Sequence, residues 1–517
     1  MQARQIIQPP SSYLHNFSDF VKRLKKTTEQ IPFFLLTLPL FIIIHIERQY
    51  HHFIVYRFVY REILWLVAAP LVTFLVSYLL LQNLRRASLF SFVLLVIFYF
   101  FCDLKDWLHE VAGGVFVTKY IFLLPLMFLI IVLFFIIIKK TNRFFGKLFL
   151  YINTTLVLFI IIDIIGILFN TSVYKNDLGD RSKPMLSQYR PCNNCVKPDI
   201  YFIIFDEYTS SEVLQREFDY HNNIDSFLRE KEFRVIPFSK SNYNLTPFSI
   251  ASCFNLNYLP GLDVHKGFYM RDYLPGLPTV YKSELIPILE KEGYQIINHS
   301  IFNLENHSPL TPPFDLWELN LLYRRHNIFK KIDYDIGWLI RSRLSLNLKS
   351  GTYRDSRNKH LENSFEKLMH TIREKSPGPK FIYAHFMLPH GPYCFDSSGN
   401  QIPVRELPIS EAENRQAYVN QVIYTNTVMK KIIEEIFSNE KNPFLIIVQG
   451  DHGYKYHDPA KNKLEFGNLN AMYFYNQDYH LISDSMSNVN TFRIVLNSFF
   501  KKKFKMLKDT SYFLQYK

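Results

Sequence analysis

The sequence has few cysteines and lacks a second closely spaced cysteine pair. Five cysteines are present among 517 residues, and two of them, Cys192 and Cys195, form one CxxC. A structural zinc site built from cysteines needs a further ligand pair, so this class of site is not expected. The pair predicts either a local disulfide, if the segment lies outside the cytoplasm, or two free thiols.

A cleavable signal sequence and an acidic charge balance are also missing. No short apolar core precedes a small-residue cleavage site near the amino terminus. The net charge is +13, and residues 1–170 hold 16 Lys+Arg against 8 Asp+Glu, which is +8 of that total. Because the basic excess is concentrated where the long apolar runs lie, nucleic acid is a poor explanation for it and no nucleic-acid partner is expected.

Long apolar stretches are abundant in the first third of the chain. A helix needs about 20 apolar residues to cross the hydrocarbon core of a bilayer, and the pattern predicts five transmembrane helices in an amino-terminal membrane domain, residues 1–170. The stretches lie at residues 31–46, 63–82, 88–102, 120–138 and 148–169. Asp163 falls within the last of them, where it is either a functional carboxylate or, as we prefer, a residue that faces the bundle or lies near the outer end of the span.

The loops between these stretches predict the orientation. With the amino terminus inside, the cytoplasmic segments carry five, two and four basic residues, eleven in all, and the external loops carry five. This distribution obeys the positive-inside tendency. An odd number of spans then places everything after residue 170 outside the cytoplasmic membrane. The expectation is a multi-pass inner-membrane protein with a large extracytoplasmic domain.

The remaining chain is predicted to consist of a polar, proline-containing linker, residues 171–198, and a globular domain, residues 199–517. Continuous apolar runs at 199–205, 380–386 and 444–449 are typical of buried strands in parallel sheets. Helical patterns such as residues 418–437 lie between them. Strands that alternate with helices predict an α/β domain with a mostly parallel sheet.

Polar side chains follow these strand-like runs directly. Asp206 comes after the first run, His390 follows the second, and Asp451 and His452 follow the third. Ligands of parallel sheets gather at the carboxyl ends of the strands, so these residues are expected to share one site. Their oxygen and nitrogen donors suit Zn²⁺ or Mn²⁺. His385, inside the second run, is interpreted as core packing.

Four sequence blocks stand out in this order along the chain: residues 197–206, 241–252, 385–393 and 450–453. Together they resemble the alkaline phosphatase superfamily, and the branch they resemble most joins sulfatases, lipoteichoic acid synthases and lipid A phosphoethanolamine transferases. The similarity covers about residues 197–500, and five spans before the domain also match the lipid-modifying members. The resemblance implies a three-layer α/β/α domain with a mostly parallel central sheet.

The resemblance points to Thr246 as the nucleophile. In sulfatases the block reads Cys-x-Pro-x-Arg and its first residue becomes formylglycine, whereas Thr246 and Ile250 stand at the Cys and Arg positions here. A formylglycine sulfatase is therefore disfavoured, and the threonine of the synthases and transferases is matched. Metal coordination activates a threonine hydroxyl, which is otherwise a weak nucleophile. The alternative is a threonine that caps the helix starting near Pro247.

The same resemblance implies one divalent ion, Zn²⁺ or Mn²⁺, held by four residues, Asp206, Thr246, Asp451 and His452. Glu207 stands next to the first carboxylate and could replace or assist it. The alternatives are a strand-end turn for Asp206 and a core histidine for His452.

Three further residues complete the candidate site. His390 lies in the block whose histidine meets the substrate phosphate or sulfate in relatives, where it would donate a proton or stabilise charge. Lys455 and His457 could add positive charge over the phosphate. The alternatives are a structural turn for His390 and a plain surface loop for the other two.

The leading hypothesis is a membrane-anchored transferase. It would move a phosphoryl-linked head group, of the phosphoethanolamine or phosphoglycerol type, from a membrane lipid donor to an envelope glycan or lipid acceptor. One alternative is a phosphate or sulfate ester hydrolase on the same scaffold. Another is a catalytically degenerate membrane protein that senses or carries lipid.

Overall fold

The chain forms two compact units in a computed structural model. The structure describes residues 22–23, 25–50, 56–113, 115–141, 145–169, 178, 184–265, 276–311, 323, 326–332, 353–402, 410–456 and 458–515. The first unit contains residues 1–173 together with Leu319–Leu346. The second contains Tyr174–Glu318 and Asn347–Lys517, so the chain passes between the units three times.

The first unit is a helical bundle. Its long helices are α1 (Phe34–Tyr50), α2 (Tyr56–Leu81), α3 (Leu84–Ala112), α4 (Tyr120–Lys140) and α5 (Gly146–Leu168). A short 3-10 helix, Phe116–Thr118, precedes α4. The outer surface of the bundle is apolar: the side chains of Leu71, Ile121 and Phe128 are each about two-thirds exposed or more. Such surfaces are stable against lipid and unfavourable in water.

Among the described residues, one spanning helix fewer is found than the five predicted. Within the described part of the chain, four helices are long and apolar enough to cross a membrane, and they correspond to α2, α3, α4 and α5. The first apolar stretch does form a helix, but α1 has 17 residues and its last turn carries Arg48. The class of the prediction, a helical membrane bundle followed by an α/β domain, is confirmed.

Polar contacts near both ends of α1 hold this helix parallel to α5. Near the start of α1, the side-chain amide of Asn153 donates to the carbonyls of Thr28 and Ile31, at 3.0 and 2.9 Å. At the other end, the carboxylate of Asp163 accepts from Arg48 at 2.7 Å and lies 3.0 Å from Nδ1 of His45. The two helices therefore begin at the same end of the bundle and finish at the same end.

Asp163 faces the bundle, as predicted, and is almost fully buried. A carboxylate in an apolar bundle is costly unless it is paired, and the ion pair with Arg48 supplies that pairing. Gly166 makes room for it, because a Cβ at that position would stand 2.4 Å from Nε of Arg48.

A segment from the second half of the sequence completes the first unit. Its described part includes α12 (Ile328–Ile332), which packs on α3. Nδ1 of His326 lies 3.0 Å from the carbonyl of Tyr99, so it donates to that oxygen. The ring of Phe329 contacts Phe98 at a centroid distance of 5.9 Å.

The second unit is built on a six-stranded sheet. Its strands are β1 (Asp199–Phe205), β2 (Arg234–Val235), β3 (Gln295–His299), β4 (Lys380–Phe386), β5 (Phe444–Gly450) and β6 (Asn470–Phe474). The strand order in the sheet is β2-β6-β5-β1-β4-β3. β1 lies between β4 and β5 and is parallel to both, β4 is parallel to β3, and β6 pairs antiparallel with β5 and β2. The three predicted strands form the centre of this sheet, and the mostly parallel arrangement is confirmed.

Helices cover both faces of the sheet, because successive side chains of a strand point to opposite sides. Ile200, Phe202 and Ile204 belong to one hydrophobic core, and Tyr201 and Ile203 belong to the other. This gives the three layers that were predicted. The helices of this unit are α6 (Pro184–Gln188), α7 (Ser211–Phe218), α8 (Ile224–Glu230), α9 (Thr246–Phe254), α10 (Gly276–Tyr281), α11 (Leu285–Lys291), α13 (Tyr353–Arg373), α14 (Glu411–Asn439) and α15 (Thr491–Phe500).

The segment before β1 is fastened to this unit. Cys192 and Cys195 form a disulfide. The buried carboxylate of Glu292 accepts hydrogen bonds from the Cys192 amide at 2.9 Å and the Tyr189 hydroxyl at 2.6 Å, and it pairs with Lys197 at 3.2 Å. The chain therefore enters β1 from an ordered, cross-linked loop.

Candidate metal and catalytic site

The candidate site lies at the carboxyl ends of three adjacent parallel strands. Asp206 follows β1, His385 is the penultimate residue of β4, and Asp451 follows β5. The strand registers pair Ile204 with His385 on one side and Phe205 with Gly450 on the other. These pairings bring the three side chains to the same edge of the sheet, where parallel sheets bind ligands.

Two glycines allow the sharp turn that presents Asp451 and His452. A Cβ at Gly450 would stand 2.4 Å from the carbonyl oxygen of Tyr208, and a Cβ at Gly453 would stand 2.4 Å from that of Gly467. Both approaches are closer than any side chain permits, so the backbone can pass here only with glycine.

Asp206, His385 and Asp451 form a buried cluster. One potential ligand atom from each lies within 4.8 Å of the other two, and all three residues are buried. Oδ2 of Asp206 is 3.3 Å from Nε2 of His385. Oδ1 of Asp206 and Oδ2 of Asp451 are buried without a hydrogen-bond partner. Two such carboxylate oxygens are costly in a protein interior unless a cation compensates them.

Thr246 and His452 extend this cluster. Thr246 is the first residue of α9 and is fully buried. Its Oγ1 lies 3.3 Å from Nε2 of His452, and that nitrogen lies 3.4 Å from Oδ2 of Asp451. Nδ1 of His452 donates to the carbonyl of Gly453 at 2.8 Å, which leaves Nε2 directed at the cluster. Contacts therefore link Thr246 to His452 and His452 to Asp451, while Asp206 lies near Asp451 through the three-residue cluster.

Glu207 adopts a left-handed backbone conformation beside the site, with φ at 62°. Its amide donates to Oδ1 of Asp451 at 2.9 Å, and its Oε1 accepts from the amide of Lys455 at 2.9 Å. The carboxylate therefore borders the cluster, and the backbone of Lys455 lies next to it. His457 is outside the described residues.

His390 stands at the mouth of the site with about a fifth of its side chain exposed. Its amide donates to the carbonyl of Asp206 at 3.1 Å, and its Nδ1 donates to the carbonyl of Gly391 at 2.6 Å. A carbonyl oxygen only accepts, so Nδ1 carries a proton and Nε2 faces the site, 3.7 Å from Oε2 of Glu207.

The electrostatic balance of the site favours an ionised Asp206. Burial alone raises the pKa of this carboxyl group, but the imidazoles of His390, His385 and His452 outweigh burial and hold the pKa below its ordinary value. Cys253 is different, because burial raises the pKa of its thiol well above the ordinary value. It lies in the core on α9 and is not a nucleophile for this site.

His385 is the cluster member for which the sequence predicts core packing, as the sixth residue of a continuous apolar strand. It is buried, and its Nε2 also lies 3.3 Å from Oδ2 of Asp206. The sequence does offer one indication, which is the position of His385 near the end of its strand. Where neighbouring parallel strands both end in polar residues, side chains at the ends of those strands lie beside the site.

Comparisons with known proteins agree with this architecture. Residues 261–492 match the family model described as Sulfatase, a range that contains His385, His390, Asp451 and His452. This match covers less than half of the chain, most of it in the α/β unit, and over those residues the chain is similar to the sulfatase family. A comparison with curated proteins gives no match.

Solved structures with a distant likeness are also found. The C-terminal periplasmic domain of EcEptC from Escherichia coli, in complex with Zn, has a TM-score of 0.39 at 10% identity, covering 60% of this chain and 86% of that one. The soluble domain of lipooligosaccharide phosphoethanolamine transferase A from Neisseria meningitidis has a TM-score of 0.37 at 14% identity, covering 60% and 89%. The integral membrane protein of that name from the same organism has a TM-score of 0.38 at 15% identity, covering 93% and 95%.

Proposed function

We propose that this protein is a metal-dependent phosphotransferase that works through Thr246. It would take a phosphoryl-linked head group, of the phosphoethanolamine or phosphoglycerol type, from a membrane lipid donor. It would then pass the group to a hydroxyl or amine of an envelope glycan or lipid.

One observation carries the proposal. Oγ1 of the buried Thr246 lies at the start of a helix, 3.3 Å from Nε2 of His452, and that nitrogen lies 3.4 Å from Asp451. Asp451 and Asp206 each have a buried carboxylate oxygen without a hydrogen-bond partner. The partial positive charge at a helix amino terminus favours both a phosphate and an ionised hydroxyl. A threonine that merely caps a helix would not need this acid and histidine cluster.

The donor set fits one divalent cation. Asp206, Thr246, Asp451 and His452 would hold it, with His385 beside Asp206, and this mixture of oxygen and imidazole donors suits Zn²⁺ or Mn²⁺. When bound, such an ion supplies a lowered pKa for the threonine hydroxyl and compensates the negative charge of the phosphoryl group.

In the first half of the reaction, Thr246 loses its hydroxyl proton to solvent and Oγ1 forms a bond to phosphorus. The ester bond to the diacylglycerol oxygen breaks at the same time. His390 is placed to protonate that leaving oxygen through Nε2, because its other nitrogen is committed to Gly391. The products are a phosphothreonine ester and neutral diacylglycerol.

In the second half, an acceptor hydroxyl attacks the same phosphorus, the bond to Oγ1 of Thr246 breaks, and Oγ1 takes back a proton from solvent. The neutral Nε2 of His390 takes the acceptor's proton, which restores the imidazolium. Water in place of the acceptor would give hydrolysis, so the difference between transferase and hydrolase lies in which hydroxyl reaches the site.

We also propose that the α/β unit lies outside the cytoplasm. Lys22, Arg23, Lys25 and Lys26 precede α1, and basic segments are retained on the cytoplasmic side. Because α1 and α5 run parallel, the chain leaves α5 at the end of the bundle opposite to this basic segment.

The test is covalent labelling of the full-length protein in detergent with a phosphatidylethanolamine donor and no acceptor. Wild type, Thr246→Ala and Thr246→Ser are compared by peptide mass spectrometry, and bound metal is measured in parallel for wild type and Asp451→Ala. We expect one phosphoethanolamine adduct on the Thr246 peptide, none in Thr246→Ala, an adduct on Ser in Thr246→Ser, and about one ion that is lost in Asp451→Ala.

The other functions give different results. Steady release of free phosphoethanolamine by wild type without any acceptor would favour a hydrolase. A protein that binds no metal and forms no adduct, with identical behaviour in Thr246→Ala, would support lipid sensing without catalysis and would overturn the proposal.

A further inference from the structure

Arg357 is a fully buried arginine close to the candidate site. It extends from α13, and it is the largest of the fully buried side chains. Its two terminal nitrogens donate to three backbone carbonyls, those of Met387, His390 and Pro392. All three belong to residues 387–394, the His390 segment, which leads from β4 past the site.

The burial of this guanidinium is not explained by an ion pair. Among the described residues, no ion pair involves Arg357, and its remaining contact is Sγ of Cys394 at 3.7 Å. Removing a guanidinium from water costs several kcal/mol, and carbonyl dipoles compensate this less completely than a carboxylate does. Neutral hydrogen-bond donors could hold the same carbonyls in place. The presence of a buried cation at this position therefore indicates a role beyond stabilising the backbone.

The His390 segment is held from a second helix as well. Nε2 of Gln421 on α14 donates to the carbonyl of Pro389 at 2.8 Å and to that of His390 at 3.0 Å. Its Oε1 accepts from the amide of Cys394 at 2.9 Å. The carbonyl of His390 therefore receives hydrogen bonds from Arg357 and Gln421 together, while its amide is fixed to Asp206.

These backbone contacts determine the direction of the imidazole ring. The ring is anchored through Nδ1 to the carbonyl of Gly391, the peptide that directly follows the carbonyl held by Arg357. A rotation of the His390 peptide would move that anchor and turn Nε2 away from the site. Catalytic hydrogen-bond geometry is sensitive to displacements of this kind.

We propose that Arg357 is a positioning residue for His390: its guanidinium fixes the His390 segment so that Nε2 points at the leaving oxygen of the phosphodiester. This inference rests on the proposed function, in which His390 protonates that oxygen. The hydrogen bonds of Arg357 go to the backbone of the His390 segment and to Cys394, so it acts on His390 through that backbone.

The test uses a pair of substrates that differ only in the leaving group. Phosphatidylethanolamine has an alcohol leaving group that needs a proton, whereas p-nitrophenyl phosphoethanolamine has one that leaves without it. The variants Arg357→Lys, His390→Ala and the double variant are measured in the full-length protein. Arg493→Lys is the matched control, because Arg493 is also buried and donates to two carbonyls, those of Leu256 and Lys505, away from the His390 segment.

We expect Arg357→Lys to lower kcat for the lipid about tenfold or more, with little change in KM, and to change turnover of the p-nitrophenyl ester much less. Lysine keeps the charge but cannot reach three carbonyls as a fork. In the His390→Ala background the same substitution should have no further effect, because the group it positions is gone. Arg493→Lys should leave the ratio between the two substrates unchanged.

Three results would overturn the proposal. If Arg357→Lys lowers kcat equally for both substrates, or if its effect on kcat is additive with that of His390→Ala, Arg357 serves stability alone while the role of His390 stands. If His390→Ala itself shows no preference between leaving groups, the role of His390 fails and this inference fails with it. Should Arg357→Lys not accumulate in the membrane, Gln421→Leu removes the second brace without changing charge and must show the same leaving-group dependence.

Discussion

Nε2 of His385 lies 3.3 Å from Oδ2 of Asp206, and the hydroxyl of Tyr383 lies 3.0 Å from Nδ1 on the other side of the same ring. Burial raises the pKa of Tyr383 well above its ordinary value, so its hydroxyl keeps its proton and can donate to Nδ1. Nε2 then carries the proton that meets the carboxylate. The three side chains form a directed chain that orients Asp206.

We therefore expect His385→Ala to weaken metal binding. Hydrogen-bond partners of metal ligands typically account for about a tenfold to hundredfold change in affinity. The measurement is a metal titration of chelator-treated protein. Tyr383→Phe removes only the outer link of the chain and should give a smaller loss. Unchanged affinity in His385→Ala would show that Asp206 needs no such support.

Buried His299 predicts a decline of stability in acid. Burial lowers the pKa of this imidazole from 6.5 to about 4, and the ring sits in the core 2.9 Å from the hydroxyl of Thr371. The unfolded chain therefore binds a proton at a higher pH than the folded one does. Stability is fully present above pH 6.5 and falls as the pH decreases towards 4, by up to about 3 kcal/mol.

The corresponding measurement is the melting temperature of the full-length protein across this range, with chelator present so that metal release does not contribute. His299→Gln should flatten the decline. The same substitution at His370, whose side chain is 74% exposed, is the control and should leave the profile unchanged. A His299→Gln profile as steep as that of wild type would contradict the assignment.

The ion pair between Asp163 and Arg48 predicts an asymmetric response to charge removal. Asp163→Ala leaves the guanidinium partly buried in the bundle without its carboxylate, which costs about 3 kcal/mol or more in soluble proteins. Asp163→Ala with Arg48→Leu removes both charges and should recover part of the loss. Melting temperatures in detergent decide this, and a double variant less stable than the single one would exclude charge compensation as the role of the pair.

The Cys192–Cys195 disulfide should stabilise the start of the α/β unit. A cross-link closing so short a loop contributes about 2 kcal/mol by restricting the unfolded chain. Reductant is expected to lower the melting temperature of wild type and to leave the Cys192→Ser, Cys195→Ser double variant unaffected. The remaining cysteines are buried, so reductant has no other target among them. Equal sensitivity of both proteins would place the effect elsewhere.

The centre of the sheet could be predicted because its strands have a plain signature. Uninterrupted β-branched and aromatic runs indicate strands buried on both faces, and the three predicted strands proved to be β1, β4 and β5. Their carboxyl ends then identified Asp206, Asp451 and His452 without any knowledge of strand order. Thr246 needed the family resemblance, since a threonine before a proline has no distinctive pattern of its own.

Other features have no sequence signature. The partners of Arg357 are backbone carbonyls, which every residue carries, so no pattern of side chains in the sequence predicts these contacts. His385 was hidden because its neighbours are apolar. The helix count differs for another reason: the first apolar stretch does form a helix, but α1 as described has 17 residues and is not among the four helices long and apolar enough to cross a membrane.

The threefold passage of the chain between the two units limits how the protein can be divided. A fragment that begins after α5 would still contain residues 319–346, whose described part packs on α3 through His326 and Phe329. Cut free from the bundle, this segment would expose Tyr323, which is almost fully buried in the intact chain. A version of the α/β unit without the bundle therefore requires two cuts and a loop that joins residue 318 to residue 347, rather than a single truncation.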